Sequence, residues 1–309
     1  MANPNLLDIA KHNGSDAVVG LIEEASKAHP EITIGYARTI AGLNYKTLVR
    51  TAVPTGSSFR KANAGTSPVK STYENRLVET YILNPRWECD RAVADRHEDG
   101  KEAYIAIEGG GIMEGSMQDI CQQFYYGTNA TYGNANGFPG LLQAYDSTKM
   151  VVDAGGTTDN VASSVWAVKF SPRDVTWVWG QDGMLEMDDP RIESVIDAGG
   201  TNKFTAYVQE LLAYPGLQVG SLYSIGRIKK LTNDSGKGLT DDLISELLSK
   251  FPVGVVPDVL LMSRRSVMQL QQSRTATNAT GVPAPFPTEA FGIPIEKTDA
   301  ISNVEKLAL

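Results

Sequence analysis

The sequence predicts a mixed α+β fold organised around one long helix and one long β-hairpin, and three observations carry that expectation. An apolar stripe of Ile105, Ile112, Met113, Met117, Ile120, Cys121, Phe124 and Tyr125 advances in steps of three, four and seven, the signature of a helix face. Two extended runs, Leu43 to Val53 and Ser71 to Leu83, flank roughly seventeen residues rich in Gly, Ser, Pro, Asn and Thr, as in a long hairpin with a mobile tip. The second half is β-rich and holds Trp166, Trp177 and Trp179, three of the four tryptophans, which read as a core. At 309 residues, 42% hydrophobic and 21% charged, the chain can bury a large core and hold two subdomains.

The elements follow in order. Leu6, Ile9 and Ala10, then Val18, Val19, Leu21, Ile22 and Ala25, predict a helical N-terminal arm over residues 5–28. Gly14 interrupts it, Ser15 or Asp16 caps its second part, and His29-Pro30 ends it. In the hairpin, Tyr45, Thr47, Val49 and Thr51 alternate on the first strand, and Tyr73, Leu77, Val78, Tyr81 and Ile82 mark the second. Such a hairpin has too little apolar surface to stand alone and must lie on something. After the break at Asn84-Pro85 the long helix is expected from about Arg91 to Tyr126, stopped by Gly127. Within it, Gly109-Gly110-Gly111 costs about 0.5–1 kcal/mol per glycine against Ala, so the run marks either a close crossing or a break in the helix.

Val165 to Phe170 and Val175 to Trp179 predict strands joined by the turn Ser171-Pro172-Arg173-Asp174. Further strands are expected at Lys203 to Leu211 and Leu217 to Ile228. An amphipathic helix after Thr240 carries Asp241 and Asp242 in its first turn. Val259 to Met262 leads into a helix from Ser263 to about Ser273. A Pro-rich loop, Pro283 to Pro287, precedes a last strand at Gly292 to Lys297.

Charge is distributed unevenly. Arg38, Lys46, Arg50, Arg60, Lys61, Lys70 and Arg76 face a single anion, Glu74, between residues 38 and 76; this surplus of six sits in a chain of net charge −8, leaving −14 elsewhere. A basic arm on an acidic body is suited to a negatively charged partner, and another copy of the same chain is a ready candidate. A pI near 5.0 argues against a polyanion as that partner.

Familiar chemistry is poorly represented. Gly109 to Glu114 lacks the spacing and the preceding strand of a dinucleotide loop, and Gly236-Lys237-Gly238 lacks the remaining positions of a Walker loop. Glu186-Met187-Asp188-Asp189 could hold a hard cation but lacks the spacing and central Gly of a calcium loop; a solvated acidic loop is the simpler reading. No Gly-x-Ser-x-Gly elbow occurs, and His12, His29 and His97 are too scattered to suggest a triad for Ser57 or Ser58. Cys89 and Cys121 form no CxxC pair, and Cys121 on its apolar face reads as a small buried hydrophobe. These readings imply no catalytic, cofactor or metal site. No apolar run is long enough for a membrane span, and Met1 to Ala10 has no signal-peptide pattern, so synthesis is expected in the cytosol.

Several short runs in order carry a resemblance. Ser58-Phe59-Arg60 with Ser71-Thr72-Tyr73-Glu74 resembles the extended loop, and Lys101-Glu102-Ala103-Tyr104 running to Gln123-Phe124-Tyr125-Tyr126-Gly127 the spine helix, of the major capsid proteins of tailed bacteriophages. Asn136-Gly137-Phe138-Pro139-Gly140-Leu141 resembles the segment after that spine. Pro257-Asp258-Val259-Leu260-Leu261-Met262-Ser263 resembles the strand-to-helix step of the axial domain, and Phe291-Gly292-Ile293-Pro294-Ile295 with Thr298-Asp299-Ala300-Ile301 the closing strand.

The resemblance, to the Hong Kong 97-like capsid fold, covers nearly the whole chain. It implies an N-terminal arm at 1–35, an extended β-hairpin loop at 36–84, a peripheral domain at 85–160 and 286–309, and an axial domain at 161–285. It further implies a structural protein without catalytic residues, forming pentamers, hexamers and an icosahedral head around DNA. The seven hairpin cations would contact an adjacent subunit. A separate scaffolding protein, a portal and decoration proteins are possible partners, since 35 residues leave no room for a sizeable fused scaffold. Some members of the fold crosslink through a Lys and an Asn, a role for Lys61 or Lys70 that no motif here supports. An encapsulin-like compartment for a cargo enzyme is the alternative within the same fold.

Overall fold

Three sheets and a long helix share the core, and the sequence alternation in one strand shows how. The computed structural model describes residues 4, 6–13, 24–25, 27–55, 59–197, 200–278 and 282–309. Its helices are α1 (Leu6–His12), α2 (Pro30–Ile34), α3 (Arg91–Ala94), α4 (Lys101–Tyr126), α5 (Leu141–Ala144), α6 (Asp241–Ser249) and α7 (Arg264–Ala276). The strands are β1 (Ala37–Thr39), β2 (Asn44–Ala52), β3 (Thr72–Glu79), β4 (Arg86–Asp90), β5 (Val151–Asp153), β6 (Ser163–Val168), β7 (Val175–Trp179), β8 (Leu185–Met187), β9 (Arg191–Ile196) and β10 (Lys203–Ala213). They continue with β11 (Pro215–Val219), β12 (Ile225–Leu231), β13 (Val259–Met262), β14 (Glu289–Ala290) and β15 (Ile293–Lys297).

The largest sheet has the order β14-β15-β13-β6-β12-β5. Every residue of β6 is buried, because both faces of this sheet are covered. Val165 and Ala167, with Leu260, Met262 and Ile228, face Ile244 and Leu247 of α6 and Val267 and Leu270 of α7. Trp166 and Val168, with Val259 and Leu261, face Phe124, Tyr125 and Tyr126 at the end of α4. Strand period two thus divides one strand between two cores. The helices begin where their caps dictate: the Thr240 hydroxyl accepts from the Leu243 N–H at the start of α6, and that of Ser263 from the Ser266 N–H at the start of α7.

The first half of α4 rests on a second sheet centred on β10, which pairs antiparallel with β4, β8 and β9. Trp87 and Cys89 of β4 and Tyr207 of β10 pack there with Tyr104 and Ile105 of α4 and Ile9 of α1. β1, β7 and β11 form a third sheet, and among the described residues β2 and β3 pair only with each other.

Several expectations change. The helix expected from Arg91 is two: α3 ends at Ala94, and α4 starts after Gly100, whose φ of +87° suits glycine and breaks the helical path. The triple glycine does not break α4, which is continuous over 26 residues. Gly109 marks the close approach: a Cβ there would meet Gln209 Oε1 at 3.1 Å and Met187 Sδ at 3.4 Å, whereas Gly110 and Gly111 face open space.

The single strand expected at Leu217 to Ile228 is β11 and β12, separated by a 3-10 turn at Leu222–Ser224 that Ser221 caps. Pro30, expected to end a helix, instead opens the short α2, where its missing N–H costs nothing. Tyr81 and Leu83 leave the hairpin ladder and donate to Pro215 and Ala213 carbonyls. The second part of the N-terminal arm, around Ser15 to Ile22, lies outside the described residues.

Candidate intersubunit surface

The hairpin has an anchored inner face and an outward face. On β2, Tyr45, Thr47 and Val49 point inward, and Lys46, Leu48 and Arg50 point outward. The register places Lys46 opposite Leu77, Leu48 opposite Asn75 and Arg50 opposite Tyr73, so these six side chains share one exposed face. At the base, the Tyr45 hydroxyl donates to Gln218 Oε1 of β11, and Arg76 Nη1 donates to the Gly220 carbonyl at 3.3 Å. Burial at that contact raises the Tyr45 phenol, opposed by Arg38, whose guanidinium lies 4.6 Å from the ring centre. At Tyr73, a hydrogen bond with Ser71 and then the charge of Arg50, 5.5 Å from the ring centre, hold the phenol below its ordinary value.

The seven cations therefore divide. Lys46 and Arg50 lie on the outward face. Arg60, Lys61 and Lys70 lie in the exposed tip, where Arg60 also donates to the Ala64 carbonyl at 3.1 Å. Arg76 turns toward the body, and Arg38 belongs to β1, beside β7 rather than in the hairpin ladder. The sequence reading followed the inward alternation and did not single out Leu48 as a surface residue; Leu48, Leu77 and Phe59 are all exposed. The opposite phase of the same alternation carries that information.

The other candidate chemistry is absorbed locally. Arg191 bonds Asp188 at 2.7 Å, Glu193 at 2.5 Å and Glu210 at 2.8 Å, so the loop after Glu186 is tied into a charge network. Asp241 pairs with Arg274 through both carboxylate oxygens, at 2.7 and 2.8 Å. The histidines, scattered in sequence, are grouped by the fold: His12 and His97 lie 5.7 Å apart, each against Tyr104. His29 Nε2 lies 3.2 Å from Glu114 Oε1, and its Nδ1 lies 3.7 Å from Cys121 Sγ. The last arrangement has the outline of a nucleophile and base. Burial, with Glu31 nearby, pushes the Cys121 thiol far above its ordinary value, so it is protonated and inert.

Clefts beside α4 complete the surface. One, of about 320 Å³, runs between the helix, residues Tyr81 to Leu83 and the loop from Thr131 to Phe138.

This architecture is that of the Hong Kong 97-like capsid fold. A chain of the bacteriophage Epsilon15 structure aligns with a TM-score of 0.70 and 21% identity, over 99% of this chain and 98% of that one. The capsid of Myoviridae phage XM1 aligns at 0.50 with 11% identity, over 71% of this chain and 97% of its own. An encapsulin chain of Synechococcus elongatus aligns at 0.47, with 7% identity over 74% of this chain and 95% of its own. None of the curated proteins matches the sequence. Residues 15–308 match the family described as Major capsid protein GP7, and the chain belongs to that family. It is a structural protein of the virion that associates with copies of itself.

Proposed function

We propose that the chain assembles through rings of five and six subunits into an icosahedral head around a DNA genome. The hairpin's outward face supplies the contact between neighbouring subunits. One observation carries this reading: Lys46, Leu48, Arg50, Tyr73 and Leu77 form a mixed cationic and apolar face on a hairpin whose other face is already anchored to β11. The acidic remainder of the chain is the complementary surface. Charge matching of this kind gives orientation and partner choice more than raw affinity. Each exposed ion pair contributes only about 0–1 kcal/mol, and stability comes from repetition around the shell.

In the same reading the seven cations from Arg38 to Arg76 are intersubunit contacts, with Arg38 and Arg76 acting through the hairpin base. Residues 1–35 form an arm, 36–84 the hairpin loop, 85–160 with 286–309 a peripheral domain and 161–285 an axial domain. A separate scaffolding protein, a portal and decoration proteins join it during assembly in the host cytoplasm. The genome is enclosed without sequence-specific binding, and the subunit catalyses no reaction.

The test is negative-stain electron microscopy with size-exclusion chromatography of the chain, alone and co-expressed with its scaffold. Closed shells, or rings of five and six, are expected. Reversing Arg50, Arg60, Lys61 and Lys70 to Glu is expected to abolish them, and raising the salt to weaken them. Undiminished assembly of that variant would remove the hairpin role.

A further inference from the structure

The most exposed aromatic side chain of the described residues is Phe59, at the hairpin tip beside Arg60 and Lys61. A fully solvated Phe followed by two cations has the composition of an anchor: an apolar group to bury and charges to orient it. The protein also carries a place of matching chemistry. The cleft beside α4 is lined by Tyr81, Ile82, Leu83, Ile120, Tyr132 and Phe138, and the one charged residue in its lining is Asp119.

This groove is pre-formed on every side. Tyr81 and Leu83 are held by backbone hydrogen bonds to Pro215 and Ala213, each at 2.9 Å. Gln123 of α4 pins the opposite wall, donating to the Asn134 and Phe138 carbonyls at 3.0 and 2.7 Å and accepting from the Asn134 N–H at 2.8 Å. Tyr132 is fixed through its hydroxyl to the Val304 carbonyl at 2.8 Å. The lining also carries the polar side chains of Gln122, Gln123, Thr131, Asn134 and Asn136, and a concave site of apolar walls with placed polar groups is the form a ligand pocket takes. Ile82, at its rim, is 71% exposed among the described residues.

A subunit cannot fill its own groove. The groove opens at Tyr81, just past the base of β3, whereas Phe59 lies beyond the far end of the hairpin. Eight paired residues of β3 at about 3.3 Å each hold the tip roughly 26 Å away. Tip and groove are thus complementary ends of one chain that only a second copy can join. Such a head-to-tail contact is heterologous, the kind that closes into rings when the rotation fits.

We infer that the hairpin tip of one copy seats Phe59 in the α4 groove of a neighbouring copy, with Arg60 and Lys61 directed at its Asp119. This rests on the shell reading above and names the contact within it.

The experiment places Phe59→Cys and Ile82→Cys in one chain, co-expressed with its scaffold, and oxidises the purified shells. The two native thiols, Cys89 and Cys121, are buried and do not compete. A ladder of disulfide-linked multimers up to five and six subunits is expected on a non-reducing gel, and neither single variant should give one. Shells that form normally but yield no intersubunit disulfide would overturn the groove contact while leaving the capsid reading intact. Wild-type chain that never forms shells with its scaffold would overturn the reading beneath it, and the contact with it. Phe59→Ala is the independent variant, since a solvated tip residue contributes nothing to subunit folding. Its subunits should melt as wild type while its shells melt at lower temperature. Shells of unchanged stability would also overturn the contact.

Discussion

Arg227 and Glu305 meet at 3.3 Å with side chains only 1% and 2% exposed, which joins the largest sheet to the last residues of the chain. The pair is well supported. Arg227 also bonds Ser164 and the Leu309 carbonyl, while Glu305 accepts from Tyr126 and Ser164, each at 2.6 Å. Strand β12, strand β6, the end of α4 and the C-terminal segment thus share one buried polar network. Breaking such a pair leaves the other charge buried and uncompensated, at a cost of about 3–5 kcal/mol. Glu305→Ala is therefore expected to destabilise the subunit by about that amount in urea unfolding, well beyond the effect of Glu296→Ala at the partly exposed Glu296.

The three glycines of α4 are expected to respond differently to Ala. Gly110 and Gly111 face open space, so replacing either should stabilise the subunit by about 0.5–1 kcal/mol through helix propensity. At Gly109 the new methyl meets Gln209 and Met187, so the gain should be smaller or reversed. Thermal melts of the three single variants measure the difference.

Residues before α2 are docked on α4 through the Glu114 carboxylate and through Gln118, which donates to the Ala25 carbonyl at 2.9 Å. Glu114 accepts from Gln118 and the Lys27 N–H and lies against His29; these contacts, the first foremost, hold its carboxyl down at about 2. Because the folded value lies below the ordinary 4.5, the stability this group contributes is complete above that range and is lost as pH falls through about 2. Protection of the Lys27 amide, measured against its intrinsic exchange rate at each pH, should therefore hold from neutral pH to about pH 4 and fall only on further acidification. Glu114→Ala should remove the protection throughout.

Both thiols are expected to be silent. Burial, then the neighbouring charges of Asp90 and Glu108, push Cys89 up to about 12, and Cys121 is raised further, chiefly by burial. A thiol-specific disulfide reagent at pH 8 should label neither in the native subunit and both after denaturation.

Local signals carried much of the architecture. The stripe from Ile105 to Tyr125 lies on one continuous helix, the hairpin pairs where alternation and turn residues put it, and the tryptophan-rich strands are core. The failures were also local in origin. Nothing in the periodicity separates α3 from α4, because the break depends on the backbone at Gly100 and on a turn that buries His97. The strand expected at Leu217 to Ile228 divides because Ser221 caps a turn that the apolar pattern passes over.

Residues far apart in sequence were invisible to such signals. The Arg227–Glu305 network, the His29–Glu114–Cys121 cluster and the α4 groove each join segments with no local reason to meet. By itself the sequence determined the element types, the order that marks a capsid subunit and the charge asymmetry of the hairpin, since periodicity, caps and charge are properties of neighbouring residues. Only the tertiary structure decided which hairpin face is free, which glycine is crossed and which cations turn inward, because burial is set by what the rest of the chain packs against each residue.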